Sequence, residues 1–573
     1  MFKVLDEDSG NAGLVSQLHM SFGQFLDHDI SLTPNAGGCK HPKCHPHSLK
    51  DFKYPCFPIK FSSTRDKGCT PFTRSFAVCQ KGKAVRQQVN VLTSFIDASM
   101  VYSVNEKQLK RLRTMDGSLT FRCCRNNRFH YCCFIIGTGK LKVTNQNLLP
   151  FDPLSKAVCT TRGGCFLAGD VRCDEHIALA SFHTLFVREH NRIANELKKL
   201  NKHWNGLKIF EETRKIVGAI LQHITYNEYV PTLATLKPYR GFKQTTDPRV
   251  ANAFSTAAFR FGHSQIKNHW SQLDANFNKI SPDIPLRATY FNNTALIDHG
   301  IERTMMGLCG NASERVDTEF ASGVAKKLFV PPGKQGFSNL IALNIQRGRD
   351  HGLPGYNEYR GICGLEKAKT FFGLRREIPN KSIRIAMQKI YRNVDNHIDL
   401  FAAGLAEKHL PGKIVGPTFS CIMKTQFEDL RDGDRYFYNR PGVFTPGQLS
   451  EIKRASLARV FCDNLKGIVS IQENVFKVYK PGVKRRVCNE ISGINLNVWK
   501  ENISPPKKYY QQYYRRRVSH YRRRVRHYRR RVSHYRRRSI NYRRRATYYR
   551  RRVTHQQRRR IYRRRRSYQR HRF

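Results

Sequence analysis

Within its 573 residues the chain has no apolar run approaching the roughly 20 residues that a membrane-spanning helix needs, which excludes a helical membrane anchor in this sequence. Its first ten residues are acidic and lack an apolar h-region, so no secretory signal peptide is visible. From residue 502 onward there is no Asp or Glu at all, against 28 arginines and two lysines. Such a segment cannot bury enough apolar surface to offset its ordering entropy, and it reads as disordered in isolation.

The formal net charge is +59, and the chain ahead of residue 502 is also net basic. The tail repeats Tyr-Arg-Arg-Arg every seven residues, at Tyr514, Tyr521, Tyr528, Tyr535, Tyr542 and Tyr549. It lacks the second apolar position per heptad that a coiled coil requires, and its adjacent like charges oppose a helix. Its chemistry fits polyanions: arginines release phosphate or sulfate counterions, and the interleaved tyrosines can stack on bases. A sulfated glycan or other anionic matrix suits a secreted chain, and RNA or DNA an intracellular one. A low-complexity expansion without a selected role is the bland reading.

Seventeen cysteines, with Asn-x-Ser/Thr sequons at Asn292, Asn311, Asn380 and Asn502, point to an oxidising, secretory setting. The odd count leaves at least one thiol unpaired within the chain or bridged to another. Cys39-Lys-His-Pro-Lys-Cys-His-Pro-His47 has zinc-ligand chemistry, although disulfide use is the commoner fate of such cysteines outside the cell. The Cys-rich stretch near 118–137 is either an additional disulfide-stapled loop or a misassigned coding segment.

Two histidines are the most informative residues. His28 lies in Phe22-Gly-Gln-Phe-Leu-Asp-His-Asp29, after Leu14, Leu18, Phe22 and Phe25, whose spacing predicts a helix packed on a core. Consecutive helical residues are about 100° apart, so Asp27, His28 and Asp29 cannot all face one ligand and must serve different tasks. His263 closes Ala258-Phe-Arg-Phe-Gly-His263. Taken singly, each is more often a satisfied core histidine than a functional one.

Four further segments change that balance: Leu92 to Tyr102, Phe166 to Glu175, His183 to Ala194, and Leu343 to Asn357 with its Arg-Gly-Arg-Asp-His-Gly core. With the His28 and His263 segments, in this order, they resemble the animal haem peroxidase family from about residue 14 to about residue 503. The resemblance implies a mainly α-helical fold with few short strands. A single large catalytic domain would span 1–503, followed by the low-complexity tail 504–573. It also implies a haem b enzyme that reduces hydrogen peroxide and, by way of a ferryl haem, oxidises a halide, pseudohalide or phenol. Amphipathic stretches such as Leu179, Phe182, Phe186, Ile193 and Leu197 agree with the helical core.

Carried over residue by residue, the resemblance makes His28 the distal acid–base histidine, Arg172 the arginine beside it, and Gln24 the glutamine that orients water or halide. That chemistry requires a base to move a peroxide proton and a fixed cation to stabilise charge as the O–O bond breaks. His263 becomes the iron ligand, Asn344 its hydrogen-bond partner, and Arg260 and Arg347 the propionate-side arginines. Asp27 and Glu175 match carboxylates that form two esters to the haem. Arg172 and Glu175, three apart, would share a face if helical. His176 occupies a position where some members have a sulfonium-forming methionine, so a sulfonium link is excluded, and with it much of the case for efficient chloride oxidation.

Asp29, Thr93, Asp97 and Ser99, with the Phe95 carbonyl, match a calcium site, and this all-oxygen set suits a hard cation. Cys159–Cys165, Cys363–Cys421 and Cys462–Cys488 are the disulfides that the resemblance implies. The expected setting is extracellular, with the N-terminus incomplete, since members carry more catalytic-domain sequence upstream. A different class of function is open to the same chain: a polyanion-binding or structural matrix protein whose peroxidase fold is inactive.

Overall fold

The computed structural model describes residues 1–501, except 9–11, 38–53, 61–68, 79–84, 115–137, 156–158, 335–337, 395–396 and 481. The Arg/Tyr tail, the Cys39–His47 cluster, the Cys-rich stretch near 118–137 and the Asn502 sequon lie outside the described residues. Met1–Lys500 forms one compact unit. It is mainly α-helical, and among the described residues its named strands form only two-stranded pairs. The longer of these, Ala12–Ser16 against Ala312–Glu314, is antiparallel and leads directly into the first helix.

Four helices frame the site: α1 (Gln17–Ile30), α2 (Ile177–Leu200), α3 (Gly206–Ile224) and α4 (Leu340–Asp350). In α1, Leu18, Phe22, Phe25 and Leu26 are fully buried. Phe25 stacks on Phe182 and Phe186 of α2, with ring centroids 5.6 and 5.2 Å apart and planes inclined 26°. Burial of each such ring contributes about 1.5–3 kcal/mol, so this seam fixes α1 on α2 firmly. Leu14 departs from the expected stripe. It lies in the strand before α1 and is 74% exposed, because the chain changes from period two to period 3.6 at Ser16.

The predicted α2 residues Leu179, Phe182, Phe186, Ile193 and Leu197 are all buried. α3 begins at Asn205, whose side chain accepts from Lys208 N, and runs into a π-helical turn, Thr225–Tyr229. Tyr229 returns from that turn to α1. A Cβ on Gly23 would meet its hydroxyl at 2.4 Å, so glycine is what admits the tyrosine there. α4 is capped by Asn339, which accepts from Ala342 N. The three disulfides, Cys159–Cys165, Cys363–Cys421 and Cys462–Cys488, are formed as the resemblance implies. Cys173 and Cys309 are buried free thiols. Of the described sequons, Asn380 is exposed, while Asn292 and Asn311 are half-buried. No helix among the described residues is long and apolar enough to cross a membrane.

Candidate active site

His28 sits on the last turns of α1, and its Nδ1 has no hydrogen-bond partner. Burial, reinforced by the nearby Arg172 charge, holds its pKa well below the usual value, so the imidazole is neutral and able to take a proton. The nearest carboxylate is Asp170, with Oδ1 3.8 Å from Nδ1, beyond hydrogen-bonding reach.

Asp170 was not singled out by the sequence, yet it organises this side of the site. Arg172 donates to it bidentately, Nε to Oδ1 and Nη2 to Oδ2, both at 2.8 Å. Arg172 Nη1 donates to the Ser31 carbonyl at 3.0 Å. Those bonds engage three of the five guanidinium N–H groups and leave one on each terminal nitrogen. Burial alone would push the Asp170 carboxyl up, but Arg172 outweighs it and holds the group well below the usual carboxylate range. The readable signal was the Asp-Val-Arg spacing, which lets an Asp fold back onto an Arg two residues on.

Arg172 and Glu175 do not share a helical face, because residues 171–174 form turns and α2 starts only at Ile177. A turn bond from Glu175 N to the Arg172 carbonyl, 3.0 Å, keeps them adjacent instead. Glu175 Oε2 accepts from Gln24 Nε2 at 2.8 Å, while Asp27 Oδ2 lies 4.0 Å from Arg172 Nη1. Burial raises both carboxyls, Glu175 to about 7 and Asp27 to about 6. The charges of Arg172 and Arg260 both act on the Asp27 carboxyl, against the upward effect of burial.

His263 lies in a run of 3-10 turns, Ala258–Gln265, and burial lowers it to about 3, with Arg260 adding to the shift. Asn344 of α4 stands 2.9 Å from His263 Nδ1, the contact that the resemblance implies. Arg260 Nη1 donates to Asn344 Oδ1 at 2.7 Å, which leaves the amide N–H to face the ring and makes Nδ1 the acceptor. A metal at Nε2 requires a proton on Nδ1 and hence an acceptor opposite it. The ligating form therefore needs the Asn344 amide turned over, its oxygen released by Arg260. Arg347 Nη1 donates to Thr73 O, Ser75 Oγ and Asp350 Oδ2, and its guanidinium lies 4.1 Å over the Phe72 ring. Arg260 also feels the Arg347 charge, placing both arginines near the His263 side.

The predicted cation residues gather at the C-terminal end of α1. Ser99 Oγ donates to Asp29 Oδ1 at 2.7 Å, and Thr93 Oγ1 stands 3.2 Å from Asp97 Oδ2 and 3.4 Å from the Phe95 carbonyl. Burial raises both carboxyls, and Asp97 adds to the shift at Asp29. Two buried carboxylates facing one another are costly without a cation, and this donor set suits calcium. The Arg172 loop docks on the same segment: Asp170 N donates to the Met100 carbonyl at 3.0 Å. A Cβ on Gly169 would lie 2.5 Å from that oxygen, so only glycine permits the approach.

Comparison with known proteins accords with this geometry. The family model for animal haem peroxidase matches residues 2–476. Mouse (Mus musculus) eosinophil peroxidase is 37% identical over 525 residues, covering 87% of this chain and 70% of that protein. The human (Homo sapiens) peroxidasin homolog is 38% identical over 511 residues, covering 84% of this chain but 34% of its own length. Among solved structures, peroxidase A from Dictyostelium discoideum superposes with a TM-score of 0.69 at 28% identity, covering 83% of this chain and 89% of that one. Matched along nearly the whole of its described length, the chain belongs to the animal haem peroxidase family and is a haem-dependent oxidoreductase of the peroxidase class.

Proposed function

We propose that this chain works outside the cell, reducing hydrogen peroxide at a haem b held between His28 and His263 and oxidising a halide, pseudohalide or phenol. The observation that carries this reading is the Asp27 carboxyl, which adjoins His28 in sequence, lies 4.0 Å from Arg172 Nη1 and also feels the charge of Arg260, three residues before His263. Charges from both histidine segments thus act on one carboxyl, which supports a shared site for an anionic cofactor. Bound haem supplies the redox centre, passing electrons to peroxide and recovering them from the reducing substrate.

The residues' tasks follow from their protonation. His28, neutral, takes the proton from the near peroxide oxygen and returns it to the departing one. Arg172, fixed by Asp170, directs its two remaining N–H groups at the charge that develops as the O–O bond breaks. His263 would hold iron through Nε2, with the Asn344 amide turned to accept from Nδ1. Arg260 and Arg347 offer their charge to the propionates. Asp27 and Glu175 suit ester links, because an ester carries no charge and removes the burial cost that now raises both carboxyls. Asp29, Thr93, Phe95, Asp97 and Ser99 would hold calcium.

The purified protein should show a Soret band and consume peroxide in the presence of bromide, thiocyanate or a simple phenol. Its haem should stay with the polypeptide through acid–organic extraction. No Soret band would overturn the reading, and haem extracted unmodified would overturn the two esters.

For the tail, we propose a polyanionic extracellular surface as partner, on the strength of its 28 arginines without a single acid. A chain ending at residue 508 should elute from heparin at much lower salt than the full chain, with unchanged oxidation of small phenols. Equal retention would assign heparin binding to the basic body.

A further inference from the structure

His176 belongs neither to the acid–base pair nor to the carboxylates, yet it is buried beside both and makes three directed contacts. It is the N-cap of α2, where its Nδ1 accepts from Leu179 N at 3.3 Å. Its Nε2 lies 2.8 Å from Gln24 Oε1. Its ring stacks on the fully buried Trp270 indole, centroids 5.1 Å apart at 27°. The indole is held in turn by a bond from Nε1 to Thr289 Oγ1, 3.1 Å.

Leu179 N–H is shared between His176 Nδ1 and the His176 carbonyl oxygen, 3.1 Å away, and it orders the protons along these contacts. A backbone N–H can only donate, so Nδ1 is the lone-pair nitrogen, and a neutral ring then carries its proton on Nε2. Burial, which lowers His176 to about 3, keeps the ring neutral. An Nε2–H must meet an acceptor, so Gln24 turns its carbonyl oxygen to His176 and its NH2 away. That NH2 donates to Glu175 Oε2 at 2.8 Å, the contact the structure shows. The polarity thus runs in one direction, from the start of α2 through His176 and Gln24 to Glu175. One amide hydrogen of Gln24 is used by Glu175, and the second remains.

We propose that His176 is a positioning residue that fixes the direction of the Gln24 amide, turning its oxygen to His176 and leaving its free N–H available to an anion or to the oxygen of a peroxide in the haem pocket. The Gln24 oxygen then faces His176, and the amide N–H is what Gln24 has left to offer a ligand. This rests on the reading that Gln24 borders the haem site. It goes beyond that reading by assigning the amide's direction and the residue that sets it.

A helix cap alone would explain the Leu179 contact but not dependence on Gln24, and a double-mutant cycle separates the two. The probe is cyanide binding to the ferric holoprotein, read from the Soret shift, for wild type, His176→Asn, Gln24→Leu and the double variant. Asn still caps α2 through its side-chain oxygen but is too short to reach Gln24. Loss of one directed donor should weaken cyanide by about tenfold in each single variant. The double variant should be no weaker than either single one, because His176 acts through Gln24. His176→Thr, a second capping replacement, guards against a folding failure of the first and should behave alike.

Undiminished affinity in both His176 variants, or a double variant weakened by the product of the single effects, would overturn the proposal. If Gln24→Leu binds cyanide as wild type does, Gln24 does not face the ligand and the proposal falls with its placement. A wild-type protein with no Soret response would instead refute the haem site itself.

Discussion

Replacing His28 with alanine should leave haem bound and the Soret band in place while lowering the rate of peroxide reduction by about 10²–10⁴, the usual worth of a positioned acid–base group. His263→Ala should do the reverse at the cofactor level, losing haem or shifting its spectrum, because the imidazole is proposed as the protein's one ligand to iron. The asymmetry is the test. His28 lies on α1, a helix held by the Phe25–Phe182–Phe186 stack, so its removal leaves the pocket walls standing. His263 stands in 3-10 turns, with Asn344 2.9 Å away. Stopped-flow peroxide mixing on both holoproteins, with haem content measured separately, gives the answer. Equal haem content and undiminished turnover in both variants would sink the assignment.

Calcium removal should have the second large effect. Asp29 and Asp97 face one another in a buried cluster, and burial raises both carboxyls. A cation that binds the folded chain at a hundredfold excess over its Kd adds ~2.7 kcal/mol of stability. Chelation should therefore lower the melting temperature of the wild-type protein. In Asp29→Asn, melting should be lower from the start and indifferent to chelator. Peroxide reduction should fall together with stability, because Asp29 adjoins His28 on the last turn of α1. A wild-type melting curve unmoved by chelator would refute the site.

Much of this was legible in the sequence, for a physical reason. Asn344 and the Asp29–Ser99 set sit in recognisable local motifs, and the structure brings Asn344 to His263 and Ser99 to Asp29. Leu14 misled because hydrophobic spacing does not reveal where a strand hands over to a helix. Arg172 and Glu175 are neighbours through a turn rather than a helical face, which a separation of three residues cannot distinguish. The Asp170 clamp went unnoticed because an acid two residues before an arginine is common on surfaces, and only burial makes it decisive. The direction of the Asn344 amide could not be read at all. It depends on which of two partners, Arg260 or His263, claims the oxygen in three dimensions.

The approach of Gly169 to Met100 has a consequence for how this enzyme could be controlled. One glycine-sized joint connects the Arg172 loop to the turn that begins at Ser99, and Ser99 is bonded to Asp29, next to His28. The two groups proposed to handle peroxide are thus anchored to a common post, and the ion proposed there is part of that post. Emptying it would loosen that post, while α1 keeps its Phe25–Phe182–Phe186 seam and Arg172 its bond to the Ser31 carbonyl. A calcium ion bound there would act as masonry rather than messenger, holding the post that both groups share.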